Sequence, residues 1–337
     1  MPTDLRNRCE QLAAEIGLVD PAAIDDVLPL TGGVASDIAM VNADGKRFCI
    51  KFALPKLKVA EDWHAPVHRN KAEYEWLRTA ARIAPECAVK LFGRSDSLHG
   101  FAMEYVSGEE VSLWKTDLLE GKSDSSRPAA VGDLIGRIHQ ASSKPEFDTA
   151  PFQNRDDFYA IRIEPYLVFT ASKHAKVSSE LHQLADSLYE TSKVLVHGDV
   201  SPKNTLFRVE KPIILDAECA TMGAPEFDVA FCLNHLVLKA QHVASLRADL
   251  ATHAHVFWSA YAEKVSWEPA AELEARVCRL LPALMLARVD GKSPVEYLDE
   301  ESRGVIRDVS MRLLMVPKTT IAGIVDELLD TWKGDNP

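Results

Sequence analysis

The sequence predicts an α+β fold of two unequal lobes, a small N-terminal antiparallel sheet followed by a larger, mostly helical part. Three observations carry that expectation. Strand patterns joined by turn residues crowd residues 30–52 and 87–110, whereas beyond Phe231 the apolar spacing is helical almost throughout. The chain has 337 residues, 47% of them hydrophobic, enough for one large or two modest domains with cores of their own. Helical and strand patterns alternate unevenly, which favours two lobes over one sheet. We place them at residues 1–106 and 107–337.

In chain order, Leu5, Leu12, Ala13 and Ile16 fall at helical spacing over residues 4–16, and Gly17 ends the run. Residues 30–52 read as a strand, a glycine turn, a second strand, a hairpin with Asp44-Gly45 at its tip, and a third strand. Gly32 and Gly33 let the backbone approach a ligand closely, and the small Ala35 and Ser36 leave N–H groups available for phosphate oxygens. Lys51 stands in an otherwise apolar strand, where a cation is costly unless it snorkels or pairs. The amphipathic helix over 69–83 packs through Ala72, Trp76, Leu77 and Ile83. It offers Glu73 and Glu75, which point to different faces, so only one can reach inward. Residues 87–95 and 100–110 form a β-pair whose second strand ends at Met103, Glu104, Tyr105 and Val106, before Gly108 frees the chain.

The second lobe opens near Glu109 with a short helix, a polar loop over 121–128, and a helix from Ala129 to Ser142 in which His139 reads as a packing residue. Residues 145–178, with the run FYAIRIEPYLVF, form an irregular or helical insertion. The tail is helices separated by breakers at Pro269, at 291–294 and at Pro317.

Two linked stretches carry the chemistry. LVHGDVSPKNTLF, residues 195–207, is a short apolar strand, a polar loop holding His197, Gly198, Asp199 and Asn204, and a second strand. IILDAECATMGAPEFDVAF, residues 213–231, is an apolar strand ending in Asp216 and Glu218. Three acidic groups and an asparagine can converge at these strand ends. Such a cluster is unfavourable unless cations neutralise it, and hard oxygen ligands suit Mg²⁺ arriving with nucleotide phosphates. That combination points to phosphoryl transfer.

The H-x-D-x-x-x-x-N spacing, the glycine after the histidine, the D-x-E at 216–218 and the following Pro225, Phe227 and Asp228 resemble the superfamily of aminoglycoside phosphotransferases, choline kinases and methylthioribose kinases. The resemblance runs from about Leu30 to His235. It implies a bilobal protein-kinase-like fold, with a nucleotide-binding N-terminal lobe behind a leading helix and a C-terminal lobe bearing the catalytic loop and acceptor site. It also implies an ATP- and Mg²⁺-dependent transfer of the γ-phosphate to a hydroxyl of a small molecule. Asp199 is then the catalytic base; Asn204 and Asp216 hold the metal, with Glu218 completing its shell or holding its water. Lys51, fixed by Glu73 in the family's E-x-x-x-L pattern, sits on the phosphates, with Gly32, Gly33 and Ser36 nearby. Residues 103–106 become the interlobe linker whose backbone meets adenine. Insertions at 145–178 build the acceptor pocket in such relatives, which makes Arg162, Glu164 and Tyr166 candidate substrate contacts. Asp228 opens a helix as its cap and braces the catalytic loop. Lys203 stays without a role, because protein kinases carry their γ-phosphate lysine at the position that is Ser201 here.

Only eleven residues separate Asp216 from Asp228, too few for a phosphorylation-gated activation segment, so a protein acceptor is disfavoured. D-x-E and G-x-P-x-F-D look most like methylthioribose and choline kinases, but the loop keeps an Asn that the methylthioribose form lacks. Aminoglycoside, amino alcohol and sugar acceptors all stay open. A nucleotide-binding pseudokinase acting as a scaffold is the alternative; it expects decay of Lys51, Asp199, Asn204 or Asp216, and all four are present.

The net charge of −12 argues against nucleic acid as a partner. Six cysteines stand singly without ligand spacing, as buried thiols of a reducing compartment do. No run of about 18 apolar residues occurs, and the first residues lack a signal-peptide pattern, so the expectation is a cytoplasmic protein without a membrane partner.

Overall fold

The computed structural model describes residues 2–30, 36–56 and 66–334. Helix α1 (Pro2–Glu15) leads into strands β1 (Ile24–Leu30), β2 (Ser36–Ala43) and β3 (Lys46–Ala53). After α2 (Arg69–Ile83) come β4 (Leu91–Ser95) and β5 (Gly100–Glu104). These strands form one antiparallel sheet in the order β1-β2-β3-β5-β4. Asp44 and Gly45 take φ of 50° and 71°, the left-handed pair that a tight hairpin needs and that Asp-Gly supplies at little steric cost. The sheet begins earlier than the sequence reading placed it. Residues 24–30 were missed because β1 is an exposed edge strand carrying two aspartates and Pro29, with no clean alternation.

Alternation along β3 sorts its side chains between two layers. Phe48, Ile50 and Phe52 pack with Cys9, Leu12 and Ala13 of α1 on one face. Cys49 points the other way, into a core shared with Ala72, Trp76 and Leu77 of α2. Lys51 has the parity of Cys49, so it too faces α2. Each of these apolar side chains contributes roughly 1.5–3 kcal/mol of burial, which fixes the register that aims the lysine.

The remainder is mostly helix. Strand β6 (Val111–Leu113) leads into α3 (Trp114–Leu119) and α4 (Ser126–Ser142). Then α5 (Arg155–Phe158) runs into a π-helical stretch, Tyr159–Val168, and on into α6 (Phe169–Lys173) and α7 (Ser178–Glu190). Pro165 lies inside the π stretch, where its missing N–H breaks the ordinary ladder. Strands β7 (Val194–Val196), β8 (Thr205–Arg208), β9 (Lys211–Ile214) and β10 (Thr221–Gly223) make two small sheets, β10-β7 and β6-β8-β9. Helices α8 (Pro225–His242), α9 (Leu250–Ala262), α10 (Ala270–Asp290), α11 (Glu300–Met315) and α12 (Ile321–Gly334) complete the chain. All six cysteines are buried and free. Among the described residues no helix is long and apolar enough to cross a membrane.

Candidate active site

The register of β3 brings Lys51 to two carboxylates. Its Nζ lies 2.7 Å from Glu73 Oε1 and 2.5 Å from Asp216 Oδ1, with the lysine and Glu73 each only 2% exposed. Helix α2 thus chooses between its two glutamates: Glu73 faces inward, while Glu75 pairs with Arg78 at 2.6 Å. Burial opposes the lysine's charge, but Asp216, Glu73 and Glu218 outweigh it and raise its pKa. Burial pushes Glu73 up to about 7 despite Lys51. Burial also works against ionised Asp216, yet Lys51 and Lys203 hold its pKa well below the usual range.

The loop between β7 and β8 is pinned from below. Asp228 accepts the backbone N–H groups of His197 at 2.6 Å and Gly198 at 2.8 Å, and lies 3.2 Å from His139 Nε2. Gly198 has φ of +79°, and a Cβ there would meet Cys219 Cβ at 2.8 Å, so only glycine fits after the histidine. The bracing role expected of Asp228 is present, but the cap is not. Helix α8 starts at Pro225 with Ala224 as its N-cap, and Asp228 is a buried residue of its first turn. His139 is satisfied by Asp228 and by Tyr261 OH at 2.9 Å, as a packing histidine should be. Trp76 of α2 stands edge-on to His197 with centroids 4.6 Å apart, tying the sheet lobe to the loop.

Asp199 is 3% exposed, and its Oδ2 receives Arg162 Nη2 and Lys203 Nζ, each at 3.0 Å. Burial opposes its ionisation, but Lys203 and Arg162 prevail and lower the pKa. Its Oδ1 is buried and has no hydrogen-bond partner among the described residues. Arg162 also donates to Gly198 O at 2.5 Å. The sequence reading set Arg162 on the substrate and left Lys203 without a role, whereas both hold Asp199. Lys203 carried a signal, being four residues after Asp199; the place of Arg162 depends on the π-helical turn that brings residue 162 beside residue 199.

Asn204 donates Nδ2 to Asp199 O at 3.1 Å, leaving its amide oxygen as the remaining ligand atom. Asp216 follows β9 with φ of 70°, a left-handed conformation uncommon outside glycine, asparagine and aspartate, which turns its carboxylate off the strand. Glu218 does not join a three-carboxylate metal cluster. Arg69 Nε binds its Oε2 at 2.8 Å, and among the described residues no three His, Cys, Asp or Glu groups are placed to share a metal.

Lys51, Glu73, Lys203, Asn204 and Asp216 line a cleft of about 350 Å³ together with Met103, Glu104, Tyr105 and Val106. The sheet ladder stops at Glu104, so the backbone of Tyr105 and Val106 lies outside the strand pairing. The Glu104 side chain binds Arg208 at 2.5 Å. Ser36 is buried at the start of β2, while Gly32 and Gly33 lie outside the described residues. Glu164 pairs with Lys292 at 2.8 Å, and Tyr166 is buried with its hydroxyl 3.4 Å from Arg288.

A sheet lobe and a helical lobe clasping one cleft, with a buried lysine shared by a helix glutamate and a strand-end aspartate, define the protein-kinase-like class. Residues 26–263 match the phosphotransferase enzyme family, and the chain belongs to it. The chain is 22% identical over 221 residues to a methylthioribose kinase of Pectobacterium carotovorum subsp. carotovorum (strain PC1), covering 57% of this chain and 54% of that one. It is 26% identical over 224 residues to a homoserine kinase of Beijerinckia indica, covering 56% and 64%. The chain thus spans about half the length of the first of these relatives. Among solved structures, an amicoumacin kinase in complex with AMP-PNP, Ca²⁺ and Ami shares the fold with a TM-score of 0.59 at 13% identity, over 97% of this chain and 99% of that one. A Plasmodium vivax ethanolamine kinase gives 0.53 at 12% identity, over 91% and 88%.

Proposed function

We propose that this protein is a small-molecule kinase, transferring the γ-phosphate of ATP to a hydroxyl of a small acceptor. One observation carries the reading. Asp199 has one oxygen tied to Arg162 and Lys203 and the other buried and unpartnered among the described residues, and Lys203 lines the cleft together with Lys51 and Asp216. A buried acceptor atom without a donor is costly, and the hydroxyl of an acceptor supplies the donor.

In this reading Asp199 Oδ1 orients the hydroxyl and takes its proton as the oxygen–phosphorus bond forms and the bond to the β-phosphate oxygen breaks, releasing ADP. Arg162 and Lys203 keep the carboxylate ionised and fixed, and Asp228 fixes the loop beneath it. Lys51, held by Glu73, neutralises the phosphates that stay behind. The residues present fit Mg²⁺: a carboxylate at Asp216 and an amide oxygen at Asn204, with the remaining ligands coming from phosphates and water. Bound there, the ion would screen the phosphate charge during transfer. Residues 103–106 fit the linker that meets adenine, which makes residues 1–106 the nucleotide lobe and 107–337 the acceptor lobe. The relatives phosphorylate methylthioribose and homoserine by their names, so a hydroxylated metabolite is the acceptor class we favour.

The test is ADP release by the purified chain with Mg²⁺-ATP across a panel of sugars, hydroxylated amino acids, amino alcohols and aminoglycosides. Turnover of about 1–100 s⁻¹ with one acceptor is expected. Tight nucleotide binding with no acceptor phosphorylated, and no loss of that binding in Asp216→Ala, would remove the reading.

A further inference from the structure

One face of α8 leads away from the catalytic loop at helical spacing. Asp228 braces the loop, and Phe231 comes next, its ring centroid 5.7 Å from that of Tyr166. His235 follows at 5.2 Å from Phe231, and Lys239 ends the row with Nζ 5.3 Å from the Tyr297 ring. Arg288 enters from α10, its guanidinium 5.9 Å from the Tyr166 ring. The row starts near Asp199, because Tyr166 lies on the same π-helical stretch as Arg162, which holds that carboxylate at Oδ2.

Charge along this row is one-sided. His235 and Lys239 are 4% and 2% exposed, and among the described residues neither they nor Arg288 form an ion pair. Arg288 donates to the carbonyl and hydroxyl of Ser293 and lies near Tyr166 OH. Its Nε, both ring nitrogens of His235 and the Tyr297 hydroxyl are buried with no partner at all. The neighbouring acids are engaged elsewhere, Glu296 with Lys115 at 2.9 Å and Glu164 with Lys292. Burial, then Lys115 and Arg288, push Lys239 down to about 7; burial, then Lys239 and Arg288, drive His235 well below its usual value. Native proteins rarely leave several buried polar atoms without a partner, and among the described residues no carboxylate pairs with either cation. An anion supplies an acceptor for Arg288 Nε, for the Tyr297 hydroxyl and for the one N–H of a neutral His235, and a counter-charge for Lys239.

We propose that the acceptor carries an anionic group, a carboxylate or a phosphate ester, held by Lys239 and Arg288 while its hydroxyl meets Asp199. The inference rests on the kinase reading above. It sets cationic acceptors without an acidic group, such as simple amino alcohols and aminoglycosides, against the site, since they would bring like charge into a desolvated cationic row.

The experiment compares ADP release by the full chain with three acceptor panels: hydroxy acids and sugar monophosphates, neutral sugars, and cationic amino alcohols with aminoglycosides. Turnover confined to the first panel is expected, and its two halves tell carboxylate from phosphate. Lys239→Met should raise KM for that acceptor by roughly 10² while KM for ATP stays put, and Lys239→Arg should recover part of the loss. Efficient phosphorylation of a cationic or neutral acceptor, with KM unmoved in Lys239→Met, overturns the anion site and leaves the kinase reading standing. If no acceptor turns over, calorimetric titration with malonate and inorganic phosphate decides: binding abolished by Lys239→Met supports the site, and no heat from either probe overturns it. Loss of Mg²⁺-ATP binding in Lys51→Met, measured alongside, tests the kinase reading separately.

Discussion

The two sides of Asp199 balance charge in opposite ways. Toward the cleft, Lys51 serves Glu73 and Asp216, and Arg69 serves Glu218, so each of these buried cations meets a carboxylate. On the far side, Lys239, Arg288 and His235 form no ion pair among the described residues, and the nearby Glu296 is paired with Lys115. The first arrangement is complete within the chain and therefore supports the fold as well as the site. The second is incomplete, which costs stability in the free protein and is relieved by a ligand. Asp199 is itself half answered, with Oδ2 tied to Arg162 and Lys203 and Oδ1 buried without a hydrogen-bond partner among the described residues.

The sharpest way to break the comparison is to remove its pivot. Asp199→Ala should lower kcat by roughly 10² to 10⁴ with nucleotide affinity nearly intact, because the charge-balanced side is untouched; wild-type turnover in that variant would take Asp199 out of the chemistry. Next comes Lys51→Met, which strands Glu73 without a cation. Loss of a buried partner typically costs 3–5 kcal/mol, and about 3 is expected here because the Asp216 side chain is 32% exposed to the cleft and is screened. Urea unfolding reads the stability change, and an unchanged midpoint would mean the triple does not hold the lobes together.

A pH profile sharpens the position of Asp199. Lys203 and Arg162 lower its pKa against the pull of burial, and a base works only when ionised, so activity falls as pH drops through that depressed value. The acid limb of kcat/KM in the wild type should therefore lie below the ordinary carboxylate range. Arg162→Met should move it upward; a limb that stays in place would show that Arg162 does not tune the base.

The smallest effect has the opposite sign. Lys239 has a folded pKa of about 7, lowered from 10.5 by burial and by Lys115 and Arg288, with Glu296 acting against them. Its protonation therefore opposes folding fully below about pH 7, and the opposition fades as pH rises toward 10.5. Lys239→Met should raise Tm by a few degrees near pH 6 and by less near pH 9. A lower Tm at pH 6 would mean that the chain already neutralises this lysine.

Much of the Lys51 side of the cleft is legible in the sequence because its signals are local. Asp44-Gly45 marks its own turn, Lys51 is conspicuous in an apolar strand, and the two acidic loops sit at strand ends. Glu73 against Glu75 was left to the family pattern, and the rotation of α2 decided it. The edge strand β1 and the three-residue strands β6 and β10 were missed, since neither exposure nor such length leaves a period to read. Glu218, expected to complete the metal shell or hold its water, also binds Arg69, 149 residues away, which no local pattern announces.

By itself the sequence determined the two-lobe division, the strand that aims Lys51 and the loop that carries Asp199, because periodicity, turn chemistry and short spacings are properties of neighbours in the chain. Only the tertiary structure decided which charges are answered. Arg162 reaches Asp199, Arg69 reaches Glu218, and among the described residues Lys239 and Arg288 pair with no carboxylate, since the energy of a buried charge depends on what packs within a few ångströms of it, and that is set by folding rather than by order.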